Sequence, residues 1–281
     1  MSIELYNSTS FKISNLIAKN YSTSFGFAMN LFNSELKDSI AAIYGYVRLA
    51  DEIVDTFHDQ DKKYLLDELR KDTFTALQNG ISINPVLNSF QFTVNRYMIP
   101  HVYITEFLDS MEMDISYSYY DRSKYDKYIH GSAEVVGLMC LKIFCHNNNT
   151  LFESLEIPAK SLGSAFQKVN FLRDIKSDLS ERGRIYIPGA DNEKELNDEN
   201  KIFLETEVEN EFKAALSGIK KLPKNSMLGV YTAYMYYNIL LKKIKKMNMD
   251  DLKSGRVRIS NFTKFILLVK SAVKVRTLNA A

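Results

Sequence analysis

The sequence contains few residues that interrupt helices and no long apolar run. Its 281 residues include only 5 prolines and 11 glycines, which favours long uninterrupted helices. No apolar stretch approaches the ~18 residues that a membrane-spanning helix needs. The opening sequence, MSIELYNSTS, also lacks the apolar core of a signal peptide. We therefore expect a helical, cytoplasmic protein that is either soluble or peripheral to the inner face of the membrane.

Cysteine is scarce, and charge of neither sign dominates. The two cysteines, Cys140 and Cys145, lie in an apolar stretch without the partners of a zinc site, which indicates core residues in a reducing compartment. The 36 basic residues nearly balance the 34 acidic ones, which argues against a nucleic-acid partner. A Gly-rich nucleotide fingerprint is missing, so NADPH is not expected as a cofactor. No repeat or linker divides the chain, and we predict one domain over 1–281.

A polar stripe is associated with the stretch QKVNFLRDIKSDLSERGRIYIP at 167–188. Its members are spaced four, three, four and four residues apart, which keeps them on one face of a helix. They are Gly163, Gln167, Asn170, Asp174 and Asp178. A neighbouring apolar stripe predicts that this helix is partly buried. Because inward carboxylates are costly unless they meet a cation, the stripe indicates a binding site.

The same stretch ends in a glycine between two arginines. Gly183 is expected to end the helix. Arg182 and Arg184 can pair with an anion, and the guanidinium fork suits phosphate oxygens. Because Arg182 falls one step off the polar stripe, we expect its replacement by lysine to have a mild effect.

A second stretch, YGYVRLADEIVD at 44–55, repeats this chemistry at steps of four, three and four. Its polar members are Tyr44, Arg48, Asp51 and Asp55. Either row alone is equally well explained by a solvated acidic face. Two rows with matching polar partners instead imply that a metal-bound diphosphate sits between two helices. Mg²⁺ suits such a site, with Mn²⁺ as an alternative, because it takes one or two carboxylates plus substrate phosphate.

Together with a third stretch, YIHGSAEVVGLM at 128–139, the two rows resemble the squalene and phytoene synthase family. Weaker matches at 22–25 and 256–260 extend the resemblance over essentially the whole chain. It implies an all-α, single-domain helical bundle of the isoprenoid synthase type with a central active-site cavity. It also implies a Mg-dependent prenyltransferase that joins two identical prenyl diphosphates head to head through a cyclopropylcarbinyl diphosphate.

The rows and the resemblance together assign roles to individual residues. The expected metal ligands are Asp51, Asp55, Asn170, Asp174 and Asp178. The expected catalytic residues are the same four aspartates with Arg48 and Tyr128. The expected substrate-binding residues are Ser22, Ser24, Tyr44, Arg48, Gln167, Asn170, Arg184, Tyr186, Tyr236 and Arg256. Asp114 also matches an acidic family position, where a site role and a surface salt bridge both stay open.

Within the family, the chain most resembles the bacterial carotenoid branch, which joins two geranylgeranyl diphosphates to phytoene. Squalene or dehydrosqualene synthesis from two farnesyl diphosphates stays an alternative, because the sequence does not fix the prenyl chain length. A helical diphosphate hydrolase would need no wide apolar tunnel. A non-catalytic assembly factor of the same fold is expected to have lost aspartates of the rows. The oligomeric state stays open.

Three further expectations concern local structure and surface. Pro158 is expected to open the long helix of the second row. The small residues Gly131, Ser132 and Gly137 leave room for a backbone or an isoprenoid tail. The chain from Lys242 onward is strongly basic, which indicates a solubilising surface, contact with an anionic membrane, or help with a second diphosphate.

Overall fold

The computed structural model describes residues 2–22, 26 and 28–280. Its α-helices are α1 (Ile3–Tyr21), α2 (Ser34–Asp55), α3 (Lys62–Asn79), α4 (Pro85–Arg96), α5 (His101–Ser116), α6 (Arg122–Ile129), α7 (Val135–Phe144), α8 (Asn149–Ser177), α9 (Asp198–Ile219), α10 (Lys224–Ile244), α11 (Met249–Ser254) and α12 (Asn261–Ala280). Two π-helical turns, His130–Glu134 and Asp178–Arg182, follow α6 and α8. A single 3-10 turn, Glu193–Glu195, precedes α9. The expectation of an all-α protein is confirmed.

Helix ends follow the local sequence. The side chains of Asn33 and Asp61 accept hydrogen bonds from the first turns of α2 and α3, which satisfies amide groups that the helix leaves unpaired. Gly80 and Gly183 end their helical segments in the left-handed region, at φ of 68° and 62°. The predicted helix stop at Gly183 is therefore confirmed.

The expectation that Pro158 opens the long helix is wrong. The helix α8 begins at Asn149, where Asn148 accepts a hydrogen bond from the amide of Leu151, and it continues through the proline. Pro158 removes one backbone hydrogen bond, but its ring packs where Gly218 of α9 carries no side chain. Packing between the two helices thus overrides the local preference.

The core has two parts that meet along a cavity. The helices from α1 to α5 form one part with α7, and Tyr46 stacks there on Phe90 with ring centroids 3.8 Å apart. The helices from α8 onward form most of the other part, where Phe171 stacks on Tyr186 at 4.3 Å. This arrangement brings α2 and α8, which carry the two aspartate rows, to the same cavity.

The small residues beside the second part let helices touch backbone to backbone. A Cβ atom at Gly131 would collide with the carbonyl oxygen of Glu106 on α5. A Cβ atom at Gly163 would collide with the carbonyl oxygen of Ala133. Gly137 approaches α8 in the same way and also lines the cavity. None of the described helices is long and apolar enough to cross a membrane.

Candidate active site

A cavity of about 1020 Å³ lies between the aspartate-bearing helices, at the upper end of the range for small-molecule sites. Most of the predicted site residues contribute to its wall. They are Ser22, Tyr44, Arg48, Asp51, Asp55, Tyr128, Gln167, Asn170, Asp174, Asp178, Tyr186, Tyr236 and Arg256. Ser24 lies outside the described residues. Arg184 is described but does not line the cavity.

The rest of the wall is mainly apolar and comes from several helices. Phe32, Val136, Phe144 and Leu162 are among its members. Cys140 also lines this part, and burial raises the pKa of its thiol to about 12, so the thiol stays protonated at neutral pH. The cavity therefore combines a charged region with room for a hydrocarbon chain.

In the first row, Asp51 has little compensation for its charge. Among the described residues its ion pair is a long one, with Arg48 Nη1 3.9 Å from Asp51 Oδ2. Arg48 also pairs with Glu52 and lies over the ring of Tyr21. Burial first, and then the like charge of Asp55, raise the pKa of Asp51 to about 7. A cation near Asp51 would favour its ionised form.

The second aspartate of that row is strongly paired. Asp55 accepts a hydrogen bond from Arg184 Nη1 at 2.6 Å, and Arg182 Nε lies 3.1 Å away. Arg184 also donates to the carbonyl oxygen of Val54. Both arginines come from the segment just after α8, so Asp55 is held by the end of the other row.

In the second row, each aspartate pairs closely with at least one arginine. Asp174 accepts from Arg173 Nε at 2.9 Å and forms an ion pair with Arg256 Nε at 2.7 Å. Asp178 pairs with Arg182 Nη1 at 2.8 Å. Burial nevertheless raises the pKa of Asp178 to about 7, with a further contribution from Asp174.

Arg182 is therefore shared between the rows, contrary to its expected place off the polar stripe. It lines the cavity and contacts both Asp55 and Asp178. The π-helical turn Asp178–Arg182 explains the difference, because its wider turn no longer follows the 3.6-residue period from which the stripe was derived.

Arg184 instead lies behind the site. Its side chain is 6 % exposed, donates to Tyr186 Oη as well as to Asp55, and lies 3.6 Å from Asp114. A guanidinium held in this way fixes the position of Asp55. The geometry thus favours Arg182 over Arg184 as the arginine that reaches a ligand.

Asp114 is buried at the site and not in a surface salt bridge. The hydroxyls of Tyr120, Tyr128 and Tyr186 each donate to its carboxylate at 2.8 Å. Burial raises its pKa, although Arg184 and the tyrosine hydroxyls oppose that shift. The spacing of the two rows does not predict this cluster as a unit, and the sequence feature that indicates it is the tyrosine-rich run at 117–128.

The amides of the second row are linked to α10. Tyr237 Oη donates to Asn170 Oδ1 at 3.2 Å, and Asn170 Nδ2 donates to Gln167 Oε1 at 3.4 Å. Arg173 and Lys264 also line the cavity and were missed, because nothing in their local spacing marks them as inward. Arg173 pairs with Asp174, and Lys264 lies over the ring of Tyr236, so both add positive charge to the cavity wall.

The donor set has the chemistry that a hard divalent cation requires, since every candidate ligand is an oxygen. Within the described part of the chain, however, no three Asp, Glu, His or Cys side chains converge closely enough to hold a metal ion. Asp55, Asp174 and Asp178 instead pair closely with arginines. Arg48 Nε is buried and lacks a hydrogen-bond partner among the described residues, which suits an anionic ligand.

The similarity to known proteins agrees with this geometry. The family model described as "Squalene/phytoene synthase" matches residues 18–263. A 15-cis-phytoene synthase from Pantoea ananas is 28% identical over 251 residues, which cover 80% of this chain and 79% of that protein. A 4,4'-diapophytoene synthase from Staphylococcus haemolyticus is 23% identical over 269 residues, covering 88% and 91%.

Solved structures with the same fold include a dehydrosqualene synthase with a bound ligand. That structure has a TM-score of 0.83 at 20% identity, over 96% of this chain and 98% of the other. A squalene synthase from Alicyclobacillus acidocaldarius has a TM-score of 0.74 at 18% identity, over 88% and 96%. At these identities the structural matches establish the fold.

Proposed function

Because the chain belongs to the squalene/phytoene synthase family, we propose that it joins two geranylgeranyl diphosphates head to head to give phytoene. The observation that carries the proposal is one cavity that combines both aspartate rows with a long apolar wall. The charged region suits two diphosphates, and the apolar region suits two hydrocarbon chains. The choice of a twenty-carbon substrate is supported by relatives named as phytoene synthases, among them the protein from Pantoea ananas.

A second candidate is squalene or dehydrosqualene synthesis from two farnesyl diphosphates. It is favoured by the likeness in fold to the dehydrosqualene synthase structure and by the similarity to the diapophytoene synthase. The two candidates share the reaction class and differ in chain length. Squalene formation also consumes a hydride, for which we expect no NADPH site in this chain.

The aspartates Asp51, Asp55, Asp174 and Asp178, with Asn170, would hold Mg²⁺, or Mn²⁺ in its place. When bound, such an ion supplies Lewis-acid stabilisation of the leaving diphosphate. The oxygen donors support this assignment, and so do the pKa values of about 7 for Asp51 and Asp178. Asp178 is buried and Asp51 is partly buried in the cavity wall, and neither has enough positive charge nearby to hold its pKa at the usual value.

The ion pairs between the aspartates and their arginines imply that binding involves an exchange of partners. Arg173 and Arg182 would leave their aspartates and pair with non-bridging diphosphate oxygens, while the carboxylates would turn to the cation. The cation alone would leave the arginines without partners, and the diphosphate alone would leave the aspartates without partners. Unpaired charges in a partly buried site are costly. We therefore expect cation and diphosphate to bind cooperatively.

The wall residues account for the steps that follow. The allylic C–O bond of the first substrate breaks, and its electron pair leaves with diphosphate. The rings of Tyr128 and Phe171, which line the cavity, would stabilise the allylic cation by ~0.5–2 kcal/mol each. The double bond of the second substrate attacks the cation, and a proton passes to the released diphosphate as the cyclopropane ring closes. The second C–O bond then breaks, its electron pair leaves with the second diphosphate, and ring opening with loss of a second proton to diphosphate gives phytoene. The apolar wall excludes water, which would convert the cation to an alcohol.

Product analysis tests the proposal. Purified protein is incubated with Mg²⁺ and either geranylgeranyl or farnesyl diphosphate, with and without NADPH, and the hydrocarbon is identified by mass spectrometry. We expect phytoene from geranylgeranyl diphosphate without NADPH. A preferred thirty-carbon product would favour the second candidate. Prenyl alcohol as the main product would indicate a hydrolase, and no turnover with either substrate would indicate an assembly factor.

A further inference from the structure

The C-terminal helix α12 exposes a continuous apolar stripe. At 3.6 residues per turn its members fall within an arc of about 100°. The stripe consists of Phe262, Phe265, Ile266, Val269 and Val273, whose exposed fractions are 73%, 59%, 37%, 50% and 58%. Single exposed apolar residues are ordinary, whereas five that share one helix face mark an interaction surface.

The opposite face of α12 is already used. Leu267, Ser271 and Val275 are buried there, at 2%, 0% and 5% exposed, where α12 packs against α10. The helix therefore has two distinct faces. One attaches it to the bundle, and the other contacts solvent.

Positive charge accompanies the exposed stripe. Lys270 and Lys274 lie along one border, and Arg276 lies near its C-terminal end. From Arg256 onward the sequence contains six basic residues and no acidic one. An apolar face bordered by lysine and arginine has the composition of helices that lie at a bilayer surface.

We propose that α12 docks this protein on an anionic lipid bilayer. The aromatic and aliphatic side chains of the stripe enter the boundary between headgroups and acyl chains, and the flanking basic residues contact the headgroups. The helix axis lies along the surface, because only one of its faces is free to enter the lipid.

Charge argues for lipid over a second copy of the chain. In a symmetric contact between two stripes, the basic patch formed by Lys270 and Lys274 in one copy would lie close to the same basic patch in the other copy. The sequence of α12 provides no carboxylate that could compensate those charges. Anionic lipid headgroups provide the compensation directly.

The position of α12 connects this surface to the cavity. Asn261 and Lys264, in the first turn of the helix, line the cavity, and Phe262 and Phe265 of the stripe lie next to them in sequence. If the proposed function is correct, an apolar product would leave the cavity beside the bilayer that takes it up. The docking itself does not depend on that function.

Vesicle flotation tests the proposal without substrate. We expect binding to phosphatidylcholine vesicles that contain about 30% phosphatidylglycerol, little binding to phosphatidylcholine alone, and loss of binding at about 0.5 M salt. The variant Phe262→Ser/Phe265→Ser/Val269→Ser should lose at least about tenfold in partitioning. Lys270→Glu/Lys274→Glu should lose binding to anionic vesicles to a similar degree.

A matched control changes exposed apolar residues elsewhere. Ile202 and Phe203 on α9 are 57% and 55% exposed, and Ile202→Ser/Phe203→Ser should bind vesicles like the wild type. Circular dichroism and turnover of detergent-dispersed substrate should be unchanged in the stripe variants, so a loss of binding is separated from a loss of folding or activity.

Three results would overturn the proposal. The first is equal vesicle binding by the stripe variant and the wild type. The second is equal binding to neutral and anionic vesicles. The third is a wild-type dimer that never floats and that the stripe variant converts to a monomer, which would make the face a contact between copies.

Discussion

The two aspartate rows have the same spacing in sequence but different electrostatic surroundings in the fold. In the second row, Asp174 at the end of α8 and Asp178 in the π-helical turn after it each have a close arginine partner. On α2, Asp55 is paired with two arginines, whereas Asp51 has one distant partner and a pKa near 7. Arg182, which pairs with Asp178 of the second row, thus also pairs with Asp55 of the first row.

This difference between the rows indicates which charged side chains are available to bind a ligand. Asp51 and Asp178, whose pKa values are both raised to about 7, are the carboxylates whose ionisation the protein itself supports least, and of the two only Asp51 lacks a close arginine. Arg182 contacts both rows, so its release changes both at once. Identical spacing therefore does not make the rows equivalent, because the compensating charges come from other segments of the chain.

We expect the largest effect from substitutions that remove the carboxylates that would hold the cation. Asp51→Asn and Asp174→Asn should each lower kcat by about 100-fold or more at saturating substrate, because the leaving diphosphate loses electrophilic help. Asp109→Asn is the control, since Asp109 forms an exposed pair with Arg70. Circular dichroism should show an unchanged helix content in all three. Near-normal turnover of either row variant at limiting Mg²⁺ would show that its row does not bind the cation.

A smaller effect is expected where the rows are joined. Arg182→Lys should lower kcat/KM by about 10- to 100-fold, because one ammonium cannot reproduce the two-sided contacts of the guanidinium. Arg96→Lys, at an exposed pair with Glu35, should have no effect on steady-state rates. Equal rates for the two variants would return Arg182 to the marginal role that the sequence stripe suggested.

Without metal, substitutions of the two aspartates of the first row should have different effects on the free energy of unfolding. In EDTA, Asp55→Asn should reduce the free energy of unfolding by about 1–3 kcal/mol, because Arg182 and the buried Arg184 lose their partner. Asp51→Asn should leave the stability unchanged or raise it. Urea denaturation at pH 7.5 measures both. A larger loss for Asp51→Asn than for Asp55→Asn would reverse the comparison.

We expect the smallest effect in the pH dependence of stability. The pKa of Asp51 rises from about 4 in the unfolded chain to about 7 in the fold, so the folded protein holds an extra proton between those values. Its contribution to stability is complete below about pH 4 and is lost as the pH rises through 7. In EDTA, the Tm advantage of Asp51→Asn over the wild type should therefore be larger at pH 8 than at pH 5. An advantage that does not change with pH would contradict the raised pKa.

Regular helices made much of the site predictable. Gln167, Asn170, Asp174 and Asp178 line one cavity as expected, because their spacing matches a helix that continues to Ser177. The prediction failed at Arg182, where the backbone changes to a π-helical turn that no residue pattern announced.

Long-range contacts were the other limit of the sequence reasoning. Asp114 accepts hydrogen bonds from Tyr120 and Tyr128, which follow it closely in sequence, and from Tyr186, which is 72 residues away. Pro158 lies inside α8 because of its contact with Gly218 on another helix. The contact of Asp114 with Tyr186 and that of Pro158 with Gly218 cannot be inferred from local spacing, because both join distant segments of the chain.

The measurement that most directly tests the exchange of arginine and carboxylate partners is a thermal shift experiment with separated ligands. Mg²⁺ alone, a non-ionising prenyl thiodiphosphate alone, and both together are added to the purified protein. We expect small increases in Tm from each alone, and an increase from both that exceeds their sum, because each ligand takes the partner that the other releases. A full increase with Mg²⁺ alone, or strictly additive increases, would contradict the account.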